Sequence, residues 1–110
     1  MENYKILVVD DDHEIADAIE IYLKSEGYEI FKAYNGMEAL EILNQQKIHC
    51  ILMDVMMPKM DGIQAIMHIR ETSNIPIIIL SAKSEDMDKV LGLNIGADDY
   101  ITKLKKTIDI

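Results

Sequence analysis

Acidic, hydroxyl and amine side chains stand in this sequence at the points where apolar runs stop. Asp10-Asp11-Asp12 follows the run Lys5 to Val9, and Asp54 follows Ile48 to Met53. Ser81-Ala82 follows Ile75 to Leu80, and Lys103 follows Asp99 to Thr102. Each has an ordinary explanation when taken singly. Asp12 suits the N-cap of a helix, Ser81 is a loop hydroxyl, and Lys103 is a solvated amine. Together they describe a site. Two or three carboxylates within a few ångströms repel one another, and a hard divalent cation relieves that repulsion. Mg²⁺ suits such a set, because it takes oxygen ligands and binds through one or two carboxylates plus water and phosphate. A carboxylate can also attack phosphorus and form an aspartyl-phosphate. The charge on that phosphate calls for a cation, an ammonium and a hydroxyl donor. The chemistry these residue types can perform is therefore Mg²⁺-assisted phosphoryl transfer to an aspartate.

The elements between these residues must bring them to one edge. KILVV (Lys5 to Val9) is a continuous apolar run, as in a strand buried on both faces. From His13 to Glu26 the apolar residues Ile15, Ala18, Ile19, Tyr22 and Leu23 recur at helical spacing, and Gly27 suits a C-cap. Tyr28 to Tyr34 reads as a strand whose Glu29 and Lys32 suit a sheet edge. Asn35-Gly36 is a turn, Met37 to Gln46 a helix and Ile48 to Met53 a third strand. Pro58 to Gly62 is a loop. It leads to a helix over Ile63 to Thr72, with Ile63, Ile66, Met67 and Arg70 at helical spacing. Ile75 to Leu80 is a fourth strand, Ser84 to Asn94 a helix ended by Gly96, and Asp99 to Thr102 a fifth strand. Strands alternating with helices predict an α/β fold, a parallel sheet covered on both faces. Ligands of such sheets bind beyond the carboxyl ends of the strands, at the switch point. That is where the polar groups stand.

Composition narrows the classes. A chain of 110 residues predicts one domain, residues 1–110. The formal net charge of -9 disfavours nucleic acid and anionic membrane surfaces as partners of this chain itself. No apolar run approaches the ~20 residues that span a bilayer, and nothing resembles a signal peptide, so a cytoplasmic location is expected. The single cysteine, Cys50, predicts a buried, reduced thiol, and the 8 methionines predict core filler. His13, His49 and His68 are scattered and have no zinc spacing.

The stretches ILVVDDD, LMDVMMPKMDG, PIIILSA and GADDYITK resemble the receiver domains of response regulators in two-component signalling, specifically the OmpR-like branch. The resemblance covers residues 5 to 103. It implies a doubly wound, flavodoxin-like sheet of five parallel strands in the order 2-1-3-4-5. It also implies a role for each matching residue. Asp54 is the phosphoacceptor and a Mg²⁺ ligand, and Asp11 is a direct ligand. Asp10 acts through water, and the backbone carbonyl of Met56 is the third protein ligand. Ser81 donates its hydroxyl to the phosphoryl group, Ala82 leaves room for it, and Lys103 pairs with Asp54 or its phosphate. Tyr100 is the aromatic switch residue, turning inward when Ser81 moves. Pro58 and Gly62 shape the loop after the acceptor. The implied partner is a sensor histidine kinase, with partner choice on the first helix and the loop after Asp99. The implied function is a phosphorylation-dependent switch that controls a transcriptional output domain in a full-length protein. It is not an enzyme in its own right. The positions that tune dephosphorylation, Met56 and Lys83, offer no carboxylate or amide to orient a water, which implies slow hydrolysis.

Two departures stand out. Leu104 replaces the proline that usually follows the switch lysine through a cis peptide, and a cis bond there costs ~2.5–4 kcal/mol. Lys103 then reaches the site through altered backbone or is held more loosely. The family's fifth helix has too few residues left after Thr107, so that helix is expected to be missing or truncated. Its sheet face would be exposed or covered by a second copy, and the usual dimer, which needs basic partners for Asp98 and Asp99, is expected to be lost. A piece of a longer protein, followed by a winged-helix DNA-binding domain, is the simplest explanation. A natively short regulator is the alternative. Two rival functions complete the range. A pseudo-receiver would keep the fold as a binding module without the switch. A haloacid-dehalogenase-like phosphatase would use Asp10 and Asp12 as a D-x-D nucleophile pair, but it needs a flap where a helix pattern starts at His13.

Overall fold

The computed structural model describes residues 4–54, 62–81 and 99–102; of 81 and 99–102 the backbone alone is described. Five strands and three helices fall in this range: β1 Lys5–Val9, α1 His13–Ser25, β2 Glu29–Ala33, α2 Gly36–Gln45, β3 Cys50–Asp54, α3 Gly62–Arg70, β4 Ile77–Ser81 and β5 Asp99–Thr102. The strands form one parallel sheet in the order β2-β1-β3-β4-β5. The fold is the flavodoxin-like one expected. The expected helix over Ser84 to Asn94 and the truncated fifth helix lie outside the described residues.

Side chains alternate across the central strands, so one sequence run feeds two cores. Leu7, Val9, Ile51, Met53, Ile77 and Ile79 meet Ala39 of α2 and Ala65, Ile66 and Ile69 of α3 on one face. Ile6, Val8 and Leu80 meet Ala16 and Ile19 of α1 on the other. Burial on both faces is why these strands are continuous apolar runs. Lys32 and Glu29 stand on β2, which is an edge strand as their charge suggested. Lys32 Nζ lies 2.7 Å from Asp17 Oδ1 and 2.9 Å from Glu20 Oε1, joining β2 to α1.

Local chemistry explains several boundaries. Asp12 caps α1, its Oδ1 accepting from the backbone N–H of Glu14 and Ile15. Gly27, at φ +96°, reverses the chain after α1 in a conformation L side chains rarely adopt. Asn35 is more than a turn residue: its Oδ1 accepts from Glu38 N–H at 2.9 Å, so α2 begins at Gly36 rather than Met37. Strand β4 starts at Ile77 instead of Ile75, because Pro76 has no N–H to give a ladder. In addition, Arg70 Nη1 holds the carbonyls of Ser73 and Ile75 against the end of α3. Strand β3 runs Cys50–Asp54 rather than Ile48–Met53, since the pairing with β1 starts at Ile6↔Cys50 and that with β4 extends to Asp54↔Leu80.

Four core assignments need correction. On α1 the buried residues are Ala16 and Ile19, while Ala18 and Tyr22 are exposed. The sheet meets a narrower stripe than the apolar spacing suggested. On α3 the buried face is Gly62, Ala65, Ile66 and Ile69, and Met67 points outward. Met67 and Met37 are exposed, so they are not core filler. Cys50 is half-buried rather than buried, because on its face of β3 it lies at the margin of the α1 core.

Candidate functional site: an acidic cluster at the switch point

Strand order reverses between β1 and β3, and both strands end in aspartate. The register pairs Val9 with Met53, which puts Asp10 beside Asp54 one residue further on. Asp10 is fully buried and Asp54 nearly so, whereas Asp11 is exposed. One carboxylate oxygen from each of Asp10, Asp11 and Asp54 lies within 4.8 Å of the other two. A three-carboxylate set of this compactness, open to solvent through Asp11, fits a hard divalent cation coordinated by oxygen.

The backbone pins this cluster from one side. Asp10 N–H donates to the carbonyl of Ala33, the last residue of β2, at 3.0 Å. Asp12 N–H donates to Asp10 Oδ1 at 3.0 Å, turning the chain directly into α1. Asp12 is thereby a cap, as its place before the helix suggested, and its carboxylate is not among the clustered three. Only Asp10, Asp11 and Asp12 separate β1 from α1, which leaves no room for the flap of a haloacid-dehalogenase-like phosphatase.

On the other side of Asp54 the backbone of Ser81 closes β4, one residue beyond Leu80, the partner of Asp54. Thr102 pairs with Ser81, and Tyr100 pairs with Ile79 two residues earlier. The sheet thus carries the backbone of Ser81 to the acidic edge. Met56, Pro58, Ala82, Lys83, Lys103 and Leu104 lie outside the described residues. A groove of about 310 Å³ between α2 and α3, lined by Leu40, Leu43, His68, Ile69 and Ile75, opens near the opposite ends of the strands. It is remote from these acids.

Residues 6–110 match the family described as the response regulator receiver domain. The chain belongs to that family. This receiver domain is 46% identical over 106 residues to the regulatory protein VanR of Enterococcus faecium. The match takes in 96% of this chain but 46% of VanR, so the chain spans less than half the length of that relative. Among solved structures it is similar to the Francisella response regulator 1452 receiver domain. That pair shows 41% identity and a TM-score of 0.86, with 92% of this chain and 84% of the other covered. It is also similar to the response regulator TrrA of Thermotoga maritima, solved in complex with Mg²⁺-BeF. There the identity is 33% and the TM-score 0.83, with 94% and 89% covered. Receiver domains act in two-component signalling and are phosphorylated by histidine kinases. Among the described residues no helix is long and apolar enough to cross a membrane.

Two contacts, one beside the site and one at the far end of the sheet, escaped the sequence reading. His13, the first residue of α1, stacks on Tyr34 just after β2, with ring centroids 3.8 Å apart and planes 12° from parallel. His49, at the other end of the sheet, accepts Lys5 N–H on Nδ1 at 2.9 Å and donates its own N–H to the Lys5 carbonyl. Neither contact has a signal in sequence spacing, because both join residues brought together by strand pairing.

Proposed function

We propose that this receiver domain is a phosphorylation-dependent switch that takes a phosphoryl group on Asp54 from a sensor histidine kinase in a Mg²⁺-dependent reaction. In a full-length protein it would control a transcriptional output domain. The observation that carries this reading is the convergence of Asp10, Asp11 and Asp54, each carboxylate offering an oxygen within 4.8 Å of the others, at the switch point. The complex of TrrA with Mg²⁺-BeF supports it by similarity.

In the proposed reaction a carboxylate oxygen of Asp54 forms the new bond to phosphorus as the phosphorus–nitrogen bond of the phosphohistidine breaks. The electron pair leaves on the imidazole, which takes up a proton. Asp11 and Asp54, with the carbonyl of Met56, would hold the cation, and Asp10 would act on it through water. Mg²⁺, when bound, neutralises charge on the phosphoryl oxygens. The Ser81 hydroxyl then donates to the phosphoryl group, Ala82 leaves the space for that approach, and Lys103 pairs with the phosphate. Tyr100 turns inward as Ser81 moves. The phosphoryl group is held for minutes or longer, because Met56 and Lys83 cannot orient an attacking water.

Intact-mass spectrometry after incubation with Mg²⁺ and acetyl phosphate tests this directly. A single phosphoryl adduct on wild type that disappears in Asp54→Asn is the expected outcome. Absence of an adduct on folded wild type would favour a pseudo-receiver. An adduct that survives Asp54→Asn but not Asp10→Asn would make Asp10 the nucleophile. Following decay of the adduct in Mg²⁺ tests the slow hydrolysis, and loss within seconds would overturn it.

A further inference from the structure

Asp11 is the exposed member of the acidic cluster, and the structure gives its carboxylate no hydrogen bond to another described residue. It rides on the short backbone from Asp10 to Asp12, between β1 and α1. That backbone is tied to the end of β2 at two points. One is the bond from Asp10 N–H to the Ala33 carbonyl. The other is the stack of His13 on Tyr34, one residue past Ala33, with centroids 3.8 Å apart. Tyr34 is itself held: its N–H donates to Glu38 Oε1 at 2.8 Å, and Glu38 N–H donates to Asn35 Oδ1 at 2.9 Å. The reciprocal cap at the start of α2 thus fixes Tyr34, and Tyr34 fixes the first residue of α1. Asp11 lies on the span between the two ties.

We propose that the His13–Tyr34 stack is a positioning clamp for Asp11, holding its carboxylate at the distance from Asp10 and Asp54 that a divalent cation requires. This rests on the Mg²⁺-binding reading of the acidic cluster. Neither His13 nor Tyr34 belongs to the clustered set of Asp10, Asp11 and Asp54. They act through the backbone of the loop, as supporting groups around metal sites orient the ligands themselves. A stack of this kind needs two flat rings and no particular nitrogen or hydroxyl, which separates the clamp from any chemical role of the imidazole.

Calorimetric titration of the protein with Mg²⁺ at one fixed pH tests the clamp, with thermal unfolding in EDTA run beside it. His13→Ala and Tyr34→Ala are expected to weaken Mg²⁺ binding by about two- to tenfold, the range to which a stacking contribution converts. His13→Phe and Tyr34→Phe keep the rings and are expected to bind as wild type does. The double alanine variant is expected to bind no more weakly than either single one. His13 is exposed, so His13→Ala keeps the fold, and the EDTA melting curve verifies it. Alanine variants that melt earlier but bind Mg²⁺ as wild type does would overturn the clamp and leave a merely structural contact. Phenylalanine variants as weak as the alanine ones would overturn it in favour of the polar atoms. Failure of wild type itself to bind Mg²⁺ would instead bring down the reading of the acidic cluster.

Discussion

The carboxylates of Asp10, Asp11 and Asp54 are close enough to repel one another, and a cation among them would relieve that repulsion. Neutralising one of them should therefore stabilise the metal-free protein. Asp54→Asn is expected to melt higher than wild type in EDTA, and a lower melting temperature would argue that the cluster is held by other partners. Asp12 has a different task despite its place in the same triplet. Its Oδ1 satisfies two N–H groups at the start of α1, at 3.0 and 3.3 Å. Asp12→Ala should cost about 1 kcal/mol in denaturant unfolding, the usual worth of an N-cap, without removing the phosphorylation proposed at Asp54. The backbone N–H that Asp12 gives to Asp10 survives that change.

At the scale of elements, α1 is held to the sheet by Ala16 and Ile19 from below and by charge at its flank. Lys32 of β2 bonds both Asp17 and Glu20, and Lys24 reaches Glu20 at 3.3 Å. The hydrogen bond from Lys32 lowers the Glu20 pKa below its ordinary 4.5, against the opposing effect of partial burial, and Lys24 lowers it further. Bonds to Asp17 and then Glu20 raise the Lys32 pKa above its ordinary 10.5. A depressed carboxyl stabilises the fold above its unfolded pKa and loses that contribution as pH falls through its folded value. A raised lysine contributes below its unfolded pKa and loses it as pH rises through its folded value. The triad should therefore be constant across neutral pH. Lys32→Ala is expected to cost roughly 1 kcal/mol there, since partly exposed pairs are worth little each. The difference from wild type should shrink when denaturation is repeated below pH 4.5. A gap that stays unchanged in acid would assign the effect of Lys32 to packing of its alkyl chain. On α3, Ile66 is fully buried against the other face, and Ile66→Ala should cost about 2–5 kcal/mol. Calorimetric unfolding measures it.

The whole molecule couples the site to folding. Asp10, Asp11 and Asp54 are adjacent only when β1 and β3 are paired, so a cation that binds them favours the folded state. Mg²⁺ at a hundred times its dissociation constant should add about 2.7 kcal/mol of stability. That gain should vanish in Asp54→Asn, as read by denaturation with and without Mg²⁺. An equal gain in both proteins would place the cation elsewhere. The two faces of the sheet are also unequal. Ile51, Met53, Ile77 and Ile79 have no exposure beneath α2 and α3, while Cys50, Leu52 and Ile78 on the other face are only half-buried.

Much of this was legible in the sequence. Three continuous apolar runs, Lys5 to Val9, Ile48 to Met53 and Ile75 to Leu80, alternating with helical patterns, determined a parallel sheet and its strand-end site, because strands buried on both faces leave polar side chains only at their ends. The resemblance in ILVVDDD and LMDVMMPKMDG singled out Asp10, Asp11 and Asp54. Tertiary structure decided what spacing along the chain cannot express. Pairing of β1 with β3, and of Val9 with Met53 in particular, made neighbours of acids 44 positions apart. Tertiary structure also distinguished Asp12, a cap, from the two acids before it, and showed α1 burying Ala16 where Ala18 and Tyr22 were expected. It also set His13 against Tyr34. A sequence fixes periodicity and chemistry locally. Which residues touch across strands follows from register, and register is settled by the packing of the whole sheet.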